Sequence, residues 1–410
     1  MMRNLLIVDT SYLAHRVLGQ LNMNENVNNL ESEFEKTRFV NELRNSLVNL
    51  YKTFNNSKHR LVDQIILCCD NMSWRKDVKP FKPYWLTDET VPLKYKEQRV
   101  EKKQESTINY ENFYPLVDAF LDSVKDIVTV LKIKGLEGDD NMLLMSTVIK
   151  NTQNTKGIIF CTDGDIEQVV NDSVLIMKNS RSKVAPNGEF VMNLNTYTKL
   201  FESSPIEQML GNNIETSYYN DLFKIYIGDI EGTTIIKRTL HSGIEIASPF
   251  KILLLKSVCG DKKDNLFSVI SWLSSTGTRR YGVTEKHITK ALDSLGLSLI
   301  ERDCEKVIND PELLKSLLRE VSKVTKQENI DLDYVYNHTL HNLRLNGLYS
   351  KNIPSELIDE FKIWIKENKE SVFEKSINQD EMESLFVQQN YMPKENKGIN
   401  VMEQSLKDLI

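Results

Sequence analysis

The amino-acid sequence predicts an α/β protein with a central, mostly parallel β-sheet flanked by helices. Short apolar segments alternate with segments whose apolar residues recur at helical spacing, which is the pattern of parallel βαβ units. Several of the apolar segments run directly into aspartate, as in Gly157-Ile-Ile-Phe-Cys-Thr-Asp-Gly-Asp165. Ligands of parallel sheets bind beyond the carboxyl ends of the strands, so this recurrence also predicts where the chemistry lies.

The composition is that of an ordinary globular protein long enough for more than one domain. The chain has 410 residues, of which 40 % are hydrophobic and 27 % are charged. It has no apolar run of membrane-spanning length and no signal-peptide pattern. Its five cysteines lie mostly in apolar runs without metal-ligand spacing, which indicates buried thiols in a reducing, cytoplasmic compartment. The net charge of −6 argues against bulk attraction to nucleic acid, but it allows a local basic surface.

The first elements form one predicted parallel βαβ unit. Residues 4–8 predict a strand that ends at Asp9, and residues 64–69 predict a second strand that ends at Asp70. Between them, apolar residues at helical spacing over 39–50 predict a helix that crosses back over the sheet. Residues 18–33 are rich in asparagine and predict a loop.

Two further strands also lead into carboxylates. Residues 127–133 predict a third strand, followed by Gly135-Leu-Glu-Gly-Asp-Asp140 and a helix over 141–149. Helix capping alone would explain one acid here, but three within four residues repel one another unless a cation is present. Residues 158–161 predict the fourth strand, which runs into Asp163 and Asp165.

The segment that follows is less regular. Residues 174–177 predict a fifth strand, and Pro186-Asn-Gly188 predicts a hairpin turn between short strands. The remainder, to residue 248, contains no recognisable chemical motif.

Residues 74–103 combine basic and aromatic side chains. Trp74-Arg-Lys76 is followed by prolines, then by Lys94-Tyr-Lys-Glu-Gln-Arg99 and by Lys102-Lys103. This mixture suits a single strand of nucleic acid, because cations bind phosphates and rings stack on bases. The alternative is a solvated charge run on a surface helix, but the neighbouring carboxylates favour the first interpretation.

A second acidic motif has basic neighbours. Cys259-Gly-Asp-Lys-Lys-Asp-Asn265 places Asp261 and Asp264 three residues apart, which would put them on one face at a helix start. A glycine-containing turn with Arg279 and Arg280 follows, and then a helix with Lys286; such a turn between helices can bind backbone phosphates. Residues 300–367 have a helical pattern. From residue 376 the sequence is polar and predicts a flexible tail with a short amphipathic end that could bind a partner.

The carboxylates predict one metal centre. Hard oxygen ligands select Mg²⁺, with Mn²⁺ as a substitute, and two such ions about 4 Å apart can activate water and stabilise the leaving oxygen of a phosphodiester. A lysine or arginine from residues 75–103 would stabilise charge on the transferring phosphate. The dinucleotide fingerprint and the P-loop are absent from the sequence, and no Ser/His/Asp arrangement competes. The candidate ligands are Asp9, Asp70, Glu137, Asp139, Asp140, Asp163, Asp165, Asp261 and Asp264.

Seven motifs in one order resemble the flap endonuclease / 5′→3′ exonuclease superfamily. The resemblance is closest to its phage ribonuclease H (T-even type) branch, which trims RNA primers and flaps. It implies a PIN-like 5′-nuclease fold with a helical arch, a helix-turn-helix and a C-terminal helical region. It covers most of residues 1–370, and the motifs are Ile7-Val-Asp9, Cys69-Asp-Asn71, Trp74-Arg-Lys76, Tyr95-Lys96 with Arg99, Glu137-Gly-Asp-Asp140, Thr162-Asp-Gly-Asp165 and Gly260-Asp-Lys-Lys-Asp-Asn265.

The resemblance also implies roles for single residues. One Mg²⁺ would bind acids matching Asp70, Glu137, Asp139 or Asp140, and Asp163; a second would bind Asp165, Asp261 and Asp264, while Asp9 acts through metal-bound water. Lys96 would contact the scissile phosphate, and Arg75 and Arg99 would guide a strand through an arch over about 74–110. The implied nucleic-acid contacts are Lys76, Lys94, Tyr95, Arg99, Lys102, Lys262, Lys263, Arg279, Arg280 and Lys286.

The same resemblance divides the chain into three parts. A metal-dependent 5′ nuclease domain would cover 1–258, with an insertion over about 195–250. A helix-turn-helix and C-terminal helical domain would cover 259–375, and a flexible tail 376–410. The chain departs from the family in a longer arch segment and in the hairpin after Asn265, where the glycine-rich pattern is not reproduced, so no potassium site is assigned.

The implied function is a Mg²⁺-dependent, structure-specific 5′ nuclease. It would remove RNA primers from RNA–DNA hybrids, or 5′ flaps from DNA, in replication and repair. It would act as a monomer in the cytoplasm, that of a host cell if the chain is phage-encoded, with no membrane partner. A single-strand-binding protein or a sliding clamp would bind the C-terminal region. The alternatives are a PIN-like endoribonuclease and a non-catalytic replisome protein that binds DNA.

Overall fold

The computed structural model of the chain describes residues 3–25, 29–55, 60–87, 91, 93–99, 103, 108–178, 189–197, 244–273, 280–327 and 329–387. The chain divides into two units, each assembled from segments distant in sequence. Unit 1 comprises residues 1–71, 107–247 and 359–410. Unit 2 comprises residues 72–106 and 248–358.

Unit 1 is built on a seven-stranded sheet. Its strand order is β3-β2-β1-β4-β5-β6-β7, and all neighbouring strands are parallel except β5 and β6. The predicted mostly parallel sheet is confirmed. The strands are β1 (Arg3–Asp9), β2 (Gln64–Cys68), β3 (Thr129–Leu131), β4 (Thr155–Phe160), β5 (Val174–Lys178), β6 (Glu189–Met192) and β7 (Ile244–Ile246).

Helices account for most of the other described residues, together with a hairpin of β8 (Ser271–Leu273) and β9 (Arg280–Gly282) in unit 2. In chain order the helices are α1 (Thr10–Glu25), α2 (Glu33–Phe54), α3 (Tyr110–Val124), α4 (Gly138–Asn151), α5 (Leu194–Tyr197), α6 (Pro249–Cys259), α7 (Glu285–Ser294), α8 (Glu301–Asn309), α9 (Pro311–Val324), α10 (Leu332–Asn346), α11 (Ser355–Glu367), α12 (Lys369–Phe373) and α13 (Gln379–Ser384).

The core of unit 1 follows the apolar pattern of its sequence. The residues of β1 from Leu5 to Val8 are fully buried, because this strand lies between β2 and β4. Phe39, Leu43 and Leu47 lie one helical turn apart on α2, and all three are fully buried. The helix predicted over 39–50 is therefore confirmed.

The loop predicted over residues 18–33 is wrong for its first part, since α1 continues to Glu25. Leu13, Val17 and Leu21 recur every fourth residue and are at most 5 % exposed, so they form a buried stripe. Burial of such a stripe outweighs the weak helix propensity of asparagine.

The C-terminal segment 371–387 packs into unit 1. Arg3 Nε donates to the carbonyl of Val372 at 2.8 Å, and Gln64 Nε2 donates to the carbonyl of Ser371 at 2.9 Å. Farther along, Ile377 and Met382 are buried in the core. A flexible tail was predicted from residue 376, but residues 376–387 are packed; residues 388–410 lie outside the described residues.

Unit 2 has a helical core, as the pattern over 300–367 predicts up to the unit boundary within α11. Helices α6 to α10 bury leucine, isoleucine and valine side chains against one another. Between α6 and α7 the chain forms a tight turn and the β8–β9 hairpin instead of a plain helix-turn-helix connection.

The arch segment departs from its prediction. Among its described residues between Val78 and Glu97 none is helical, and Pro80 and Pro83 explain this, because proline cannot continue a helix. Helical residues are found in the 3₁₀ turn Trp74–Asp77 and at positions 98, 99 and 103. The turn predicted at 186–188 and most of the insertion predicted at 195–250 lie outside the described residues. Within the described ranges, no helix is long and apolar enough to cross a membrane.

Candidate metal centre and nucleic-acid surface

Three strands deliver carboxylates to one edge of the sheet in unit 1. β1 pairs in parallel with both β2 and β4, and Val8 lies beside Phe160 while Asp9 lies beside Cys68. Asp70 and Asp163 follow within three residues of the ends of β2 and β4. The strand order reverses between β1 and β4, and ligand sites of such sheets lie at this switch point.

Asp9 is held by neutral donors. The backbone amide of Tyr12 donates to Oδ1 at 2.9 Å, and the Cys161 thiol donates to Oδ2 at 3.3 Å. Burial raises the pKa of Asp9 to about 6, and the negative charges of Asp70 and Asp163 act in the same direction. A cation beside Asp9 would reverse this shift, because it favours the ionised carboxylate.

Asp70 is fixed by two short hydrogen bonds. The Gly138 amide donates to Oδ1 at 2.6 Å, and the Ser11 hydroxyl donates to Oδ2 at 2.6 Å. Gly138 opens α4, so the positive end of the helix dipole faces the carboxylate. A Cβ on Gly138 would lie 3.2 Å from Oδ1 of Asp70, which explains why glycine stands here.

The acids at the start of α4 divide into different environments. Asp140 is fully buried, and its Oδ2 accepts from the backbone amide of Glu137 at 3.2 Å, so it caps the helix. Glu137 and Asp139 are half-buried. Asn141 is buried and donates to the carbonyl of Cys69 at 2.9 Å, which fixes the start of α4 to the end of β2.

Asp163 and Asp165 follow β4 in a 3₁₀ turn over Gly164–Val169. Oδ1 of Asp163 accepts from the amide of Asp165 at 3.1 Å, and Asp163 is exposed while Asp165 is half-buried. Glu167, in the same turn, is buried and pairs with Lys178 at 2.6 Å. The turn that carries both predicted ligands is thus anchored to β5.

The donor set of this edge fits a hard divalent cation. Asp70 and Asp163 lie close enough to Asp9 for their charges to raise its pKa, and the ligand atoms of all three are oxygens, as Mg²⁺ and Mn²⁺ prefer. Burial raises the pKa of the Cys69 thiol to about 12, and burial also raises that of Cys161, so both sulfurs stay protonated.

The predicted ligands Asp261 and Asp264 belong to unit 2 and lie in a turn after α6. The expectation that they open a helix is wrong. Gly260 ends α6 with a φ of +81°, and a Cβ there would lie 2.5 Å from the carbonyl oxygen of Leu266. The backbone of Asp261 then exchanges two hydrogen bonds of 2.8 Å with Leu266, which closes the turn.

Both of these aspartates pair with cations of unit 2. Lys256 lies 2.6 Å from Oδ2 of Asp261. Burial alone would raise the pKa of Asp261, but the hydrogen bond and charge of Lys256 outweigh it and lower the pKa. Asp264 accepts from Arg99 at 2.7 Å and from the Tyr95 hydroxyl at 3.2 Å, and Lys96 Nζ lies 4.0 Å away.

Two predicted nucleic-acid contacts are buried instead. Arg75 is 2 % exposed, donates to the carbonyl of Leu345 at 2.9 Å, and lies over the Trp74 ring at 4.7 Å. Tyr95 is 6 % exposed. Their burial favours a role in holding unit 2 together over direct contact with a strand.

The other predicted contacts that the structure describes are exposed in unit 2, except Lys96, whose side chain is 14 % exposed. Lys102 and Arg279 lie outside the described residues. Unit 2 contains 25 Lys and Arg against 20 Asp and Glu, a net charge of +5, whereas unit 1 has 27 against 38, a net charge of −11. The predicted contacts that are exposed cations are Lys76, Lys94, Arg99, Lys262, Lys263, Arg280 and Lys286.

The sequence did not predict several residues that shape these groups. Ser11 and the Tyr12 amide bind Asp70 and Asp9, and Lys256 neutralises Asp261. A hydroxyl two residues after the first strand aspartate is a weak signal for Ser11. No local pattern reveals Lys256, because its partner lies in a turn that the sequence did not predict.

Comparisons with known proteins find distant structural likeness only. No family model and no curated protein matches the chain. A T5 protein co-crystallised with metal ions is similar, with a TM-score of 0.45 and 14 % identity over 89 % of this chain and 99 % of that chain. T5 5′-exonuclease with bound zinc gives 0.45 and 15 % over 89 % and 99 %.

A complex of bacteriophage T5 flap endonuclease with DNA and metal ions gives a TM-score of 0.42 and 15 % identity, over 94 % of this chain and 100 % of that chain. At TM-scores this low, the likeness decides neither fold nor function. Both rest here on the residues of the chain itself.

Proposed function

We propose that the chain is a Mg²⁺-dependent, structure-specific 5′ nuclease that hydrolyses phosphodiester bonds of DNA or RNA. The observation that carries this proposal is the convergence of Asp9, Asp70 and Asp163 at the switch point of the parallel sheet, beside the acids that open α4. The basic surface of unit 2 and the seven sequence motifs support it.

The residues of unit 1 would hold the metal and keep it in place. Asp70 and Asp163 would hold the ion directly and Asp9 would act through water, with Glu137 and Asp139 at the start of α4 nearby in sequence. A bound divalent cation supplies Lewis-acid stabilisation of the phosphate charge and makes water a stronger nucleophile. Ser11 and the Gly138 amide orient Asp70, so its carboxylate is positioned before the cation binds.

The second set of ligands follows the resemblance. It names Asp165, Asp261 and Asp264 for a second ion. In unit 2, however, Asp261 and Asp264 already bind Lys256 and Arg99. To serve as ligands they must exchange these partners, which would leave Arg99 and Lys96 able to bind phosphate.

Strand recognition is proposed for the exposed cations of unit 2. Lys76, Lys94 and Arg99 would bind backbone phosphates of a 5′ single strand, and Lys96 would bind the scissile phosphate. Arg75 is buried, so we propose that it supports this segment through Trp74 and Leu345. These contacts are electrostatic and therefore weaken as salt rises.

The finer biological assignments are part of the proposal. They comprise ribonuclease H activity on RNA–DNA hybrids, removal of primers or flaps in replication, a cytoplasmic location, and recruitment by a single-strand-binding protein or a sliding clamp. The division at residue 258 into a nuclease domain and a helical domain, and the use of Mn²⁺ in place of Mg²⁺, are likewise proposed.

The first experiment compares cleavage of two substrates with Mg²⁺. One is a duplex with an open 5′ flap, and the other carries a bulky group on the 5′ end of the flap. Cleavage near the junction of the open flap, lost with EDTA and reduced by the block, supports a 5′ nuclease that threads its strand. Cleavage of both flaps supports a metal-dependent nuclease but contradicts threading of the strand. Cleavage of neither, with binding intact, contradicts the enzymatic proposal.

A second comparison separates the nuclease from a PIN-like endoribonuclease. A 5′-flapped DNA, the same flap made of RNA, and a single-stranded RNA without a junction are digested side by side. Cleavage at the junction of either flap supports the proposal. Efficient internal cleavage of the single-stranded RNA alone would replace it with the endoribonuclease.

A further inference from the structure

Unit 2 has an exposed aromatic and basic surface where residues 84–85 meet the β8–β9 pair. We call Tyr84, Trp85, Leu273 and Arg280 the hairpin surface. The guanidinium carbon of Arg280 lies 4.8 Å from the centre of the Trp85 ring, and Leu273 faces Arg280 across the β8–β9 pair. Tyr84 is 41 % exposed and Leu273 is 51 % exposed.

The rings of the hairpin surface are fixed by contacts within unit 2. Trp85 Nε1 donates to the carbonyl of Ser268 at 3.3 Å, and its ring meets Phe267 edge-on at 5.7 Å. Tyr84 forms a hydrogen bond with the backbone of Ser271. Binding of a ligand here therefore costs little side-chain entropy of the protein, since the rings are already positioned.

The hairpin itself is anchored at its base. A Cβ on Gly282 would lie 2.8 Å from Cβ of Ser268, so the two strands approach the preceding segment closely. Ser268 Oγ accepts from the amide of Val283 at 2.9 Å and donates to the carbonyl of Ile270 at 2.8 Å. The described strands of the hairpin are thus held to Ser268 by close packing and hydrogen bonds.

The charge around this surface selects an anionic ligand. The described segments that build it, residues 78–87, 266–273 and 280–284, contain no Asp or Glu. Lys79 and Lys82 are exposed in the first of them. Unit 2 as a whole has a net charge of +5. An acidic or phosphorylated ligand is therefore attracted, and a basic one is repelled.

The combination of exposed rings and a stacked arginine restricts the chemical class of the ligand further. A base stacks on an aromatic ring whatever its identity, and an adjacent arginine binds the phosphate or the π face. A duplex hides the faces of its bases inside the stack, whereas unpaired nucleotides expose both faces and phosphates. The chemistry of the surface therefore fits a single strand better than a duplex.

We propose that the hairpin surface binds unpaired nucleotides of a nucleic-acid strand, with a base stacked on Tyr84 and a phosphate bound by Arg280. This deepens the proposed function and rests on it, because it names a contact for the single-stranded part of the substrate. Trp85 acts as the support that orients Arg280 and need not touch the strand.

The test measures equilibrium binding in EDTA, where no cleavage is required. Fluorescence anisotropy of a labelled oligo-dT gives Kd for the full-length chain and for Tyr84→Ala, Tyr84→Phe and Arg280→Gln. Tyr114→Ala is the matched control, because Tyr114 is 42 % exposed in unit 1. Thermal unfolding of each variant shows that it is folded.

The expected result separates stacking from charge. Tyr84→Ala weakens binding by about 5- to 150-fold without changing the salt dependence, while Tyr84→Phe stays within about twofold of the wild type. Arg280→Gln weakens binding and lowers the slope of log Kd against log salt by about 0.7 to 1. Tyr114→Ala changes neither quantity.

Several outcomes would overturn the inference. One is that Tyr84→Ala and Arg280→Gln bind oligo-dT like Tyr114→Ala. Another is that both variants lose affinity for a blunt duplex as much as for oligo-dT, since the surface would then bind the backbone of a duplex. If Tyr84→Ala is unfolded, photo-crosslinking of wild-type protein to an iodouracil-containing strand decides: crosslinks at Tyr84 or Trp85 support the inference and their absence rejects it.

The proposed function fails independently of this test. A chain that binds oligo-dT through Tyr84 but does not cleave a flapped duplex with Mg²⁺ retains the hairpin surface and loses the nuclease. A chain that cleaves, but whose binding is indifferent to Tyr84 and Arg280, retains the nuclease and loses the hairpin surface.

Discussion

The carboxylates of unit 1 and those of unit 2 have opposite surroundings, although the sequence motifs group them together. In unit 1, Asp9 and Asp70 accept hydrogen bonds from backbone amides, a hydroxyl and a thiol, all neutral donors. In unit 2, Asp261 and Asp264 accept from Lys256 and Arg99. Unit 1, where the donors are neutral, has a net charge of −11, and unit 2, where the donors are cations, has a net charge of +5.

This difference bears on which acids are the better candidates to bind a cation from outside the chain. Neutral donors position a carboxylate without cancelling its charge, so Asp9 remains destabilised and its pKa rises through burial and through neighbouring acids. A lysine or arginine cancels the charge, as the lowered pKa of Asp261 shows. The acids of unit 1 are therefore the stronger candidates for the first metal ion.

The largest expected effect tests whether residues 376–387 belong to unit 1. Removing residues 376–410 deletes Ile377 and Met382 from the core of unit 1, and each buried apolar side chain contributes about 2–5 kcal/mol. We expect this truncation to unfold or severely destabilise unit 1 in thermal unfolding followed by circular dichroism. Removing only residues 388–410 should leave cleavage near normal. Equal melting temperatures for the two truncations would contradict the assignment of 376–387 to unit 1.

The next prediction concerns cleavage. Asp163→Asn removes a predicted metal ligand at the sheet edge and should lower the rate of flap cleavage by about 10³-fold or more, since the metal contributes several kcal/mol to catalysis. Binding of substrate in EDTA should stay within about twofold. Asp126→Asn, which changes an exposed acid in a turn of unit 1, is the control. Unchanged cleavage by Asp163→Asn would remove Asp163 from the site.

The third prediction compares the stability of one variant in each group of carboxylates, measured without divalent cations. Asp264→Asn weakens the pairs with Arg99 and Lys96 and should lower the free energy of unfolding by about 2 kcal/mol in EDTA. Asp163→Asn should have almost no effect, because asparagine caps the same 3₁₀ turn as well as aspartate does. Urea titrations measure both. The contrast is lost if Asp163→Asn is the more destabilising change.

The smallest effect concerns pH and unit 2. Burial lowers the pKa of His338 to about 3, and its ring stacks on Phe81 at 4.8 Å. The folded pKa lies below the ordinary value of about 6.5, so the unfolded chain binds the proton more readily, and stability is full above that value and falls as pH drops.

Between pH of about 7.5 and about 5.5, this histidine alone should remove about 1.4 kcal/mol from the free energy of unfolding. His338→Leu should lose correspondingly less than wild type over the same interval in guanidinium titrations. Burial also lowers the pKa of His341, which remains in both proteins, so the difference between them reports His338 and its interaction with His341. Identical pH dependence of the two proteins would show that His338 does not titrate on unfolding.

Most of the sheet could be predicted from sequence because its strands are short, apolar and punctuated by aspartate. Each of β1, β2 and β4 leads into its acid within three residues, so a local pattern identified the edge. The helical extent of α1 was missed because asparagine is a weak helix former. Its stripe of Leu13, Val17 and Leu21 shows that burial decides.

The basic and aromatic character of residues 74–103 could be predicted from the sequence, but the positions of their side chains could not. The charge of Arg75 made it a surface residue by pattern, yet Trp74 and the carbonyl of Leu345 bury it. Leu345 lies 270 residues away, so no local signal could identify the contact. The turn at Asp261 was misassigned for a related reason, because the positive φ of Gly260 depends on the return of the chain to Leu266.

The hydrogen bonds that join residues 3–64 to residues 371–377 in unit 1 have a consequence for biosynthesis. Arg3 and Gln64, on β1 and β2, bind the carbonyls of Val372 and Ser371, and Ile377 donates to Asp63. A ribosome makes the strands with their acids first and residues 371–377 some 200 residues later, although domains generally fold as they emerge. The strands that carry the acids of unit 1 are thus synthesised long before the segment 371–377 that packs against them. Unit 1 could therefore close only after residues 371–377 have left the ribosome.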